Sequence, residues 1–160
     1  MYFRYYNERD KDKYIKLFKD VMIVDSLSKS HGLAGLRSGI IIAEKEIINI
    51  LRKHKPMQEV CSITVNESIK ALNSKIDIKN IKHCNKWKSI FNKEFKGNYI
   101  HTWTNFILLK DYSNYYDKLY ENKILTRNEF DYQCMDGILR ISIGNNRIMR
   151  KVLKILKDEI

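Results

Sequence analysis

Proline occurs once in the 160 residues, at Pro56, and glycine only six times. With 44 % apolar residues, the chain is neither disordered nor of low complexity, and it is long enough for a domain with a real core. Cysteine is equally scarce. Cys61, Cys84 and Cys134 are odd in number, far apart and without metal-ligand spacing, and they read as reduced, mostly buried thiols. No run of eighteen apolar residues exists and the start carries no signal-peptide pattern, so a soluble cytoplasmic protein with no membrane partner is expected. Acidic residues are the minority charge, 19 against 30 lysines and arginines, for a net charge of +11. Such an excess suits nucleic acid or an acidic surface. No nucleic-acid module and no compact basic block accompanies it, and many lysines alternate with isoleucine and asparagine as on solvated helix faces. Nucleic acid is therefore not the expected partner.

What the chain does have is one dense stretch, Asp25 to Gly39. It follows Val21-Met22-Ile23-Val24, an apolar, β-branched run that reads as a buried parallel strand. Gly32, Gly35 and Gly39 then argue against regular structure and allow close backbone approach to a ligand. Lys29 lies in this turn among the hydroxyls of Ser26, Ser28 and Ser30, with Arg37 eight residues on. A fixed cation with hydroxyls suits a phosphate, and a separate lysine suits an aldehyde.

The run Ser-Leu-Ser-Lys-Ser-His-Gly-Leu-Ala-Gly-Leu-Arg-Ser-Gly, from Ser26 to Gly39, closely resembles the Schiff-base motif of class I/II aminotransferases of pyridoxal-phosphate fold type I. Within that group it looks most like the histidinol-phosphate aminotransferase branch. The resemblance implies pyridoxal 5'-phosphate as cofactor, with Lys29 as its covalent anchor and then the general acid/base for the proton shift. That role needs an amine able to shed its proton beside a cationic cofactor. It also implies that Ser26 and Arg37 hold the cofactor phosphate. His31 occupies the family's variable aromatic position and is expected to pack under the loop.

Along the chain, Met1 to Tyr6 reads as strand-like and Asp10 to Asp20 as a short helix carrying Tyr14, Leu17 and Phe18. Ile40 to Ala43 reads as another buried strand. Glu44 to Lys55 predicts an amphipathic helix that stops before Pro56. Helices are predicted over Glu59 to Asn73 and Ile78 to Phe95, where Trp87 and Phe91 at i,i+4 spacing suit packing more than ligand stacking. Strands follow at Tyr99 to His101, Phe106 to Leu109 and Leu139 to Ile143, with a helix at Tyr112 to Glu121 between them. Met149, Val152, Leu153, Ile155 and Leu156 mark a final amphipathic helix. His54, His83 and His101 show no metal-like spacing.

Leu139-Arg140-Ile141-Ser142-Ile143-Gly144 resembles a family strand whose arginine pairs with the substrate α-carboxylate. Arginine suits that task because its planar fork makes two parallel hydrogen bonds, which lysine cannot. Thr104-Asn105-Phe106 resembles the family's Asn-Phe segment, with a simple turn as the other reading. Ile124-Leu125-Thr126-Arg127 resembles a further segment, in which Arg127 reads as structural or peripheral.

Tyr2, 27 positions before Lys29, falls at the spacing of the family tyrosine that donates to the cofactor's phenolic oxygen. The family's aspartate for the pyridinium nitrogen would precede the first residue, as would its phosphate loop, stacking aromatic and asparagine. The resemblance thus implies an α/β chain forming the C-terminal portion of a fold type I transferase. Residues 1–76 would be the tail of the large domain and residues 77–160 a small α+β domain. The chain is expected to be truncated or split, with the apolar runs at Val21 and Ile40 deprived of sheet neighbours. The activity implied is amino transfer between an amino acid and a 2-oxo acid, by a homodimer or together with a complementary N-terminal half. A decarboxylase of the same fold and a non-catalytic basic interaction fragment are the alternatives.

Overall fold

The computed structural model describes residues 22–54 and 60–158. The expectations for Met1 to Tyr6, for the Asp10 to Asp20 helix, for Tyr2 and for the turn at Pro56 lie outside them. Two compact units divide between Ile81 and Lys82.

In the first unit, β1 (Ile23–Ser26) leads into a one-turn helix α1 (Leu27–Ser30), a 3-10 turn at Ala34–Leu36 and then β2 (Gly39–Ile42). The glycines therefore do not exclude regular structure. Only Gly32 needs its freedom, at φ +72°, whereas a Cβ at Gly35 would meet open space. The strands also differ from expectation. β1 and β2 pair antiparallel, Val24 opposite Ile41 and Ser26 opposite Gly39, so the chain doubles back and both ends of the loop meet. Neither strand is buried on both faces: Val24 is 56 % and Ile41 45 % exposed. Burial on two faces needs layers on both sides, and among the described residues this two-stranded ribbon has no third strand.

Helix α2 (Lys45–Lys53) follows, with Glu46 in its first turn and Arg52 and Lys53 in its last, each complementing the helix dipole. Helix α3 (Ser62–Asn73) begins three residues later than the expected Glu59. Its N-cap is Cys61, whose sulfur accepts from Thr64 N at 3.5 Å, in the position an oxygen usually fills. Hydrogen bonds from Thr64 hold the Cys61 thiol below its ordinary pKa. Cys61 and Cys134 are exposed and only Cys84 is buried, so the expectation of mostly buried thiols fails. Cys61 caps a helix and Cys134 sits in the middle of a 3-10 turn at Gln133–Met135. Helix α4 (Ile76–Glu94) contains the division between the units.

The second unit is built on the antiparallel sheet β3 (Tyr99–Ile100), β4 (Phe106–Lys110) and β5 (Ile138–Ser142), in that order. Period-2 alternation sends Ile107 and Leu109 of β4, and Leu139 and Ile141 of β5, into the core. Helix α5 (Tyr115–Glu121) contributes Leu119. Helix α6 (Asn146–Leu156), capped by Asn145, contributes Met149, Val152, Ile155 and Leu156. From α4 come Trp87 and Phe91. Their ring centroids lie 6.4 Å apart, edge to face, so this pair packs as expected. At the chain's end Asp158 accepts from Lys118 Nζ and Tyr115 Oη, both at 2.7 Å. The hydrogen bonds from Lys118 and Tyr115 hold its carboxyl below the usual range. The same bond to Asp158 pushes the Tyr115 phenol up.

Candidate active site

The stretch from Asp25 to Gly39 is held from several sides. Ser26 caps α1: its Oγ accepts from Ser28 N at 3.1 Å. The same hydroxyl lies within donating distance of Ser28 Oγ at 2.8 Å and of the Ser38 carbonyl at 3.3 Å. That last contact joins the lysine's turn to the strand following Arg37. Asp25 is buried, and its Oδ1 accepts from Ser26 N at 2.8 Å. Lys29, on α1, is half-buried, and Arg37 is exposed. Arg37 itself takes φ 51°, a left-handed conformation, with its N–H donated to Ala34 O at 3.3 Å. For a residue other than glycine this conformation costs about 1–2 kcal/mol. Strain of this kind concentrates at functional positions. Ser26, Lys29 and Arg37, named from the sequence, are thus brought onto one short, closed stretch of chain.

Further supports carried no sequence signal. Asn80 Nδ2 donates to Ser30 O at 2.8 Å, and Ser68 Oγ donates to Ser38 Oγ at 3.2 Å. His31 is 4 % exposed; its Nδ1 is 3.0 Å from Ser30 Oγ and its Nε2 is 3.8 Å from Asp77 Oδ2. His31 therefore packs under the loop, as expected, and also bridges it to α4. Replacing His31 with alanine leaves Asp77 and Ser30 buried without this partner. The expected loss is about 1–3 kcal/mol of unfolding free energy in urea. His54→Ala, at an exposed position, changes it by less than about 0.5 kcal/mol.

Arg140 belongs to the second unit, on the face of β5 opposite Leu139 and Ile141. It is half-buried rather than turned fully to water, with its guanidinium 5.3 Å from the centroid of Phe106. Across an isolated antiparallel bridge lies Arg127: Arg127 N donates to Arg140 O at 3.1 Å and Arg140 N to Arg127 O at 2.7 Å. Arg127 stacks 5.1 Å from the Phe130 centroid, and its Nε donates to Glu129 O at 2.9 Å. Both arginines line one cleft of about 450 Å³ with Phe106, Leu108, Phe130, Asp131, Tyr132 and Met135. Two guanidinium forks beside aromatic walls can take a planar or multiply charged anion. Arg127 is exposed and its Nε is tied to the backbone, in keeping with a structural role, and it also lines this cleft. Just before β4, Thr104 Oγ1 accepts from Phe106 N at 3.4 Å.

A second lysine is only 7 % exposed. Lys88 donates from Nζ to Thr102 O at 3.1 Å, and burial pushes its pKa down. It ties α4 to the segment between β3 and β4. Among the described residues no helix is long and apolar enough to cross a membrane.

The model of the family described as aminotransferase class I and II matches residues 6–156. A histidinol-phosphate aminotransferase of Christiangramia forsetii is 31 % identical over an alignment of 152 residues, covering 88 % of this chain and 43 % of that protein. The structure of the histidinol-phosphate aminotransferase from Clostridium acetobutylicum superposes with a TM-score of 0.76 at 20 % identity, over 93 % of this chain and 48 % of that one. The Sinorhizobium meliloti histidinol-phosphate aminotransferase, solved in complex with pyridoxal-5'-phosphate, superposes at 0.69 with 18 % identity, over 89 % and 42 %. The chain thus spans less than half the length of each of these proteins, in their C-terminal part.

Proposed function

The chain belongs to the class I and II aminotransferase family, and we propose that it supplies the lysine loop and the substrate arginines of a pyridoxal-phosphate-dependent aminotransferase of the histidinol-phosphate type. The observation that carries this reading is the closed stretch joining Ser26, Lys29 and Arg37, tied by the Ser26 hydroxyl to Ser38. Its donor set of one amine, one guanidinium and several hydroxyls suits a molecule with an aldehyde and a phosphate. Arg37 and Ser26 would hold the phosphate, and Lys29 would anchor the aldehyde carbon. When bound, the cofactor supplies an electron sink for the negative charge left on the substrate carbon.

The remaining steps fall to the chain's own residues. Lys29 Nζ would take the proton from the substrate Cα and later give it back, acting first as base and then as acid. The Ser26 cap and the His31–Asp77 and Asn80 supports keep α1 from drifting, since a misplaced base loses rate steeply. Arg140 holds the substrate carboxylate, and Arg127 on the same cleft reads a second anionic group. The rest of the site, including the pyridinium carboxylate, would come from the family's N-terminal portion, in a homodimeric enzyme of the cytoplasm. Amino transfer is favoured over decarboxylation because the sequence relative of 31 % identity is an aminotransferase by name.

The test uses the enzyme completed with the family's N-terminal portion, an amino acid and a 2-oxo acid. Transfer of the amino group is expected, and carbon dioxide release without transfer overturns the reading. Arg140→Lys keeps the charge but loses the fork, so KM for the carboxylated substrate rises about 10- to 100-fold, the loss of one charge-assisted hydrogen bond. An unchanged KM would remove Arg140 from the substrate site.

A further inference from the structure

Helix α6 carries Arg147, Arg150, Lys151 and Lys154 and no acidic residue. Its apolar side is committed to the core through Met149, Val152, Ile155 and Leu156, so the four cations share the other side. Arg147 and Lys151, like Arg150 and Lys154, stand four residues apart. Arg147 and Arg150, like Lys151 and Lys154, stand three apart. Like charges at these spacings repel. Arg147, Arg150 and Lys154 are exposed and form no ion pair with a described residue, while Lys151 Nζ donates to Asn122 O at 2.8 Å. By contrast, Lys118 pairs with Asp158 at 2.7 Å and Lys157 with Glu94 at 3.2 Å. The four cations and Asn146 line a shallow groove of about 640 Å³.

We propose that this face of α6 binds the phosphate backbone of a nucleic acid duplex. Guanidinium and ammonium groups without a neighbouring carboxylate are what a row of phosphates requires. From Arg147 to Lys154 the helix rises about 10 Å, over which one strand of a duplex presents about three phosphates. No aromatic side chain lines the groove, so bases are not stacked and the sequence is not read. A bilayer would need the apolar side of the helix, which is buried. A protein partner would need an apolar anchor, and the groove lining has none. The compact basic surface that the linear sequence did not reveal is therefore made by one helix.

The experiment measures fluorescence anisotropy of a labelled mixed-sequence DNA duplex of about 20 base pairs, between about 50 and 200 mM salt. The full chain, the variant R147Q/R150Q/K154Q and the charge-matched control K79Q/K82Q/K86Q are compared. The control residues are exposed on α4. The α6 variant should lose at least about tenfold in affinity at the lower salt, and its salt slope should fall by about 3, one for each phosphate contact removed. The control should stay within about twofold. Neutralising exposed like charges relieves repulsion, so both variants should keep the circular dichroism of the parent. Equal losses in the two variants, no binding at the lower salt, or tighter binding to phosphatidylserine vesicles or to polyglutamate than to the duplex would each overturn the proposal.

Discussion

Replacing Lys29 with alanine should abolish amino transfer by the completed enzyme, a fall of at least about 10⁴-fold, while the far-ultraviolet circular dichroism of the chain stays that of the parent. Loss of a positioned acid/base alone costs about 10²- to 10⁴-fold. The same change also removes the covalent anchor, and with it the split of one hard step into two easier ones. Lys29 lies on a single helical turn whose N-cap is Ser26 and whose Ser30 carbonyl accepts from Asn80. The turn should therefore persist without it. Lys29→Arg separates charge from chemistry: the guanidinium keeps the positive charge but cannot be deprotonated. It should be as inactive as alanine. Substantial activity in the arginine variant would make Lys29 an electrostatic residue only.

Phe91→Ala should destabilise the second unit by about 3–5 kcal/mol, the range for emptying a fully buried phenylalanine site. That is a large part of the roughly 5–15 kcal/mol a domain has in total. Phe91 is completely buried. Its ring lies 6.4 Å from Trp87 and 5.4 Å from Phe95, centroid to centroid, so truncation removes contacts on both sides. Phe95 in turn meets Tyr112 edge to face at 5.3 Å, which extends the aromatic row from α4 to the residues before α5. Leu125→Ala, at a side chain 77 % exposed, should change stability by less than about 0.5 kcal/mol in the same denaturant titration. Equal effects of the two substitutions would mean that the row does not carry the core.

The second unit was the more legible in sequence. Alternation marks β5, the apolar run Phe106 to Leu109 marks β4, and the spacing of Met149, Val152, Ile155 and Leu156 marks α6. The ribbon beside Lys29 was harder. Ile40-Ile41-Ile42 is apolar at every position, so composition cannot distinguish a strand buried on both faces from one with a free face. Nor does it reveal that β2 returns antiparallel to β1. Lys29, Ser26, Arg37 and Arg140 could be named because their neighbours form long, ordered motifs. Arg127 could be named only as structural or peripheral, since its place beside Arg140 depends on a bridge between segments with no strand pattern on its side. His31 with Asp77, and Ser30 with Asn80, are partners across long stretches of chain, and no local spacing announces them. The exposure of Cys61 and Cys134 was likewise hidden, because a capping sulfur and a turn sulfur look in sequence like any small apolar residue.

The most direct test is to incubate the chain with about one equivalent of pyridoxal phosphate, reduce with borohydride, digest, and locate the added mass by mass spectrometry. A lysine held among phosphate-binding groups competes for the aldehyde better than isolated surface lysines. The expected result is a modification concentrated on the peptide containing Lys29 and absent from that peptide in Lys29→Ala. A modification spread evenly over the surface lysines, or concentrated at Lys88 with its lowered pKa, would contradict the assignment of the Lys29 loop as the cofactor anchor.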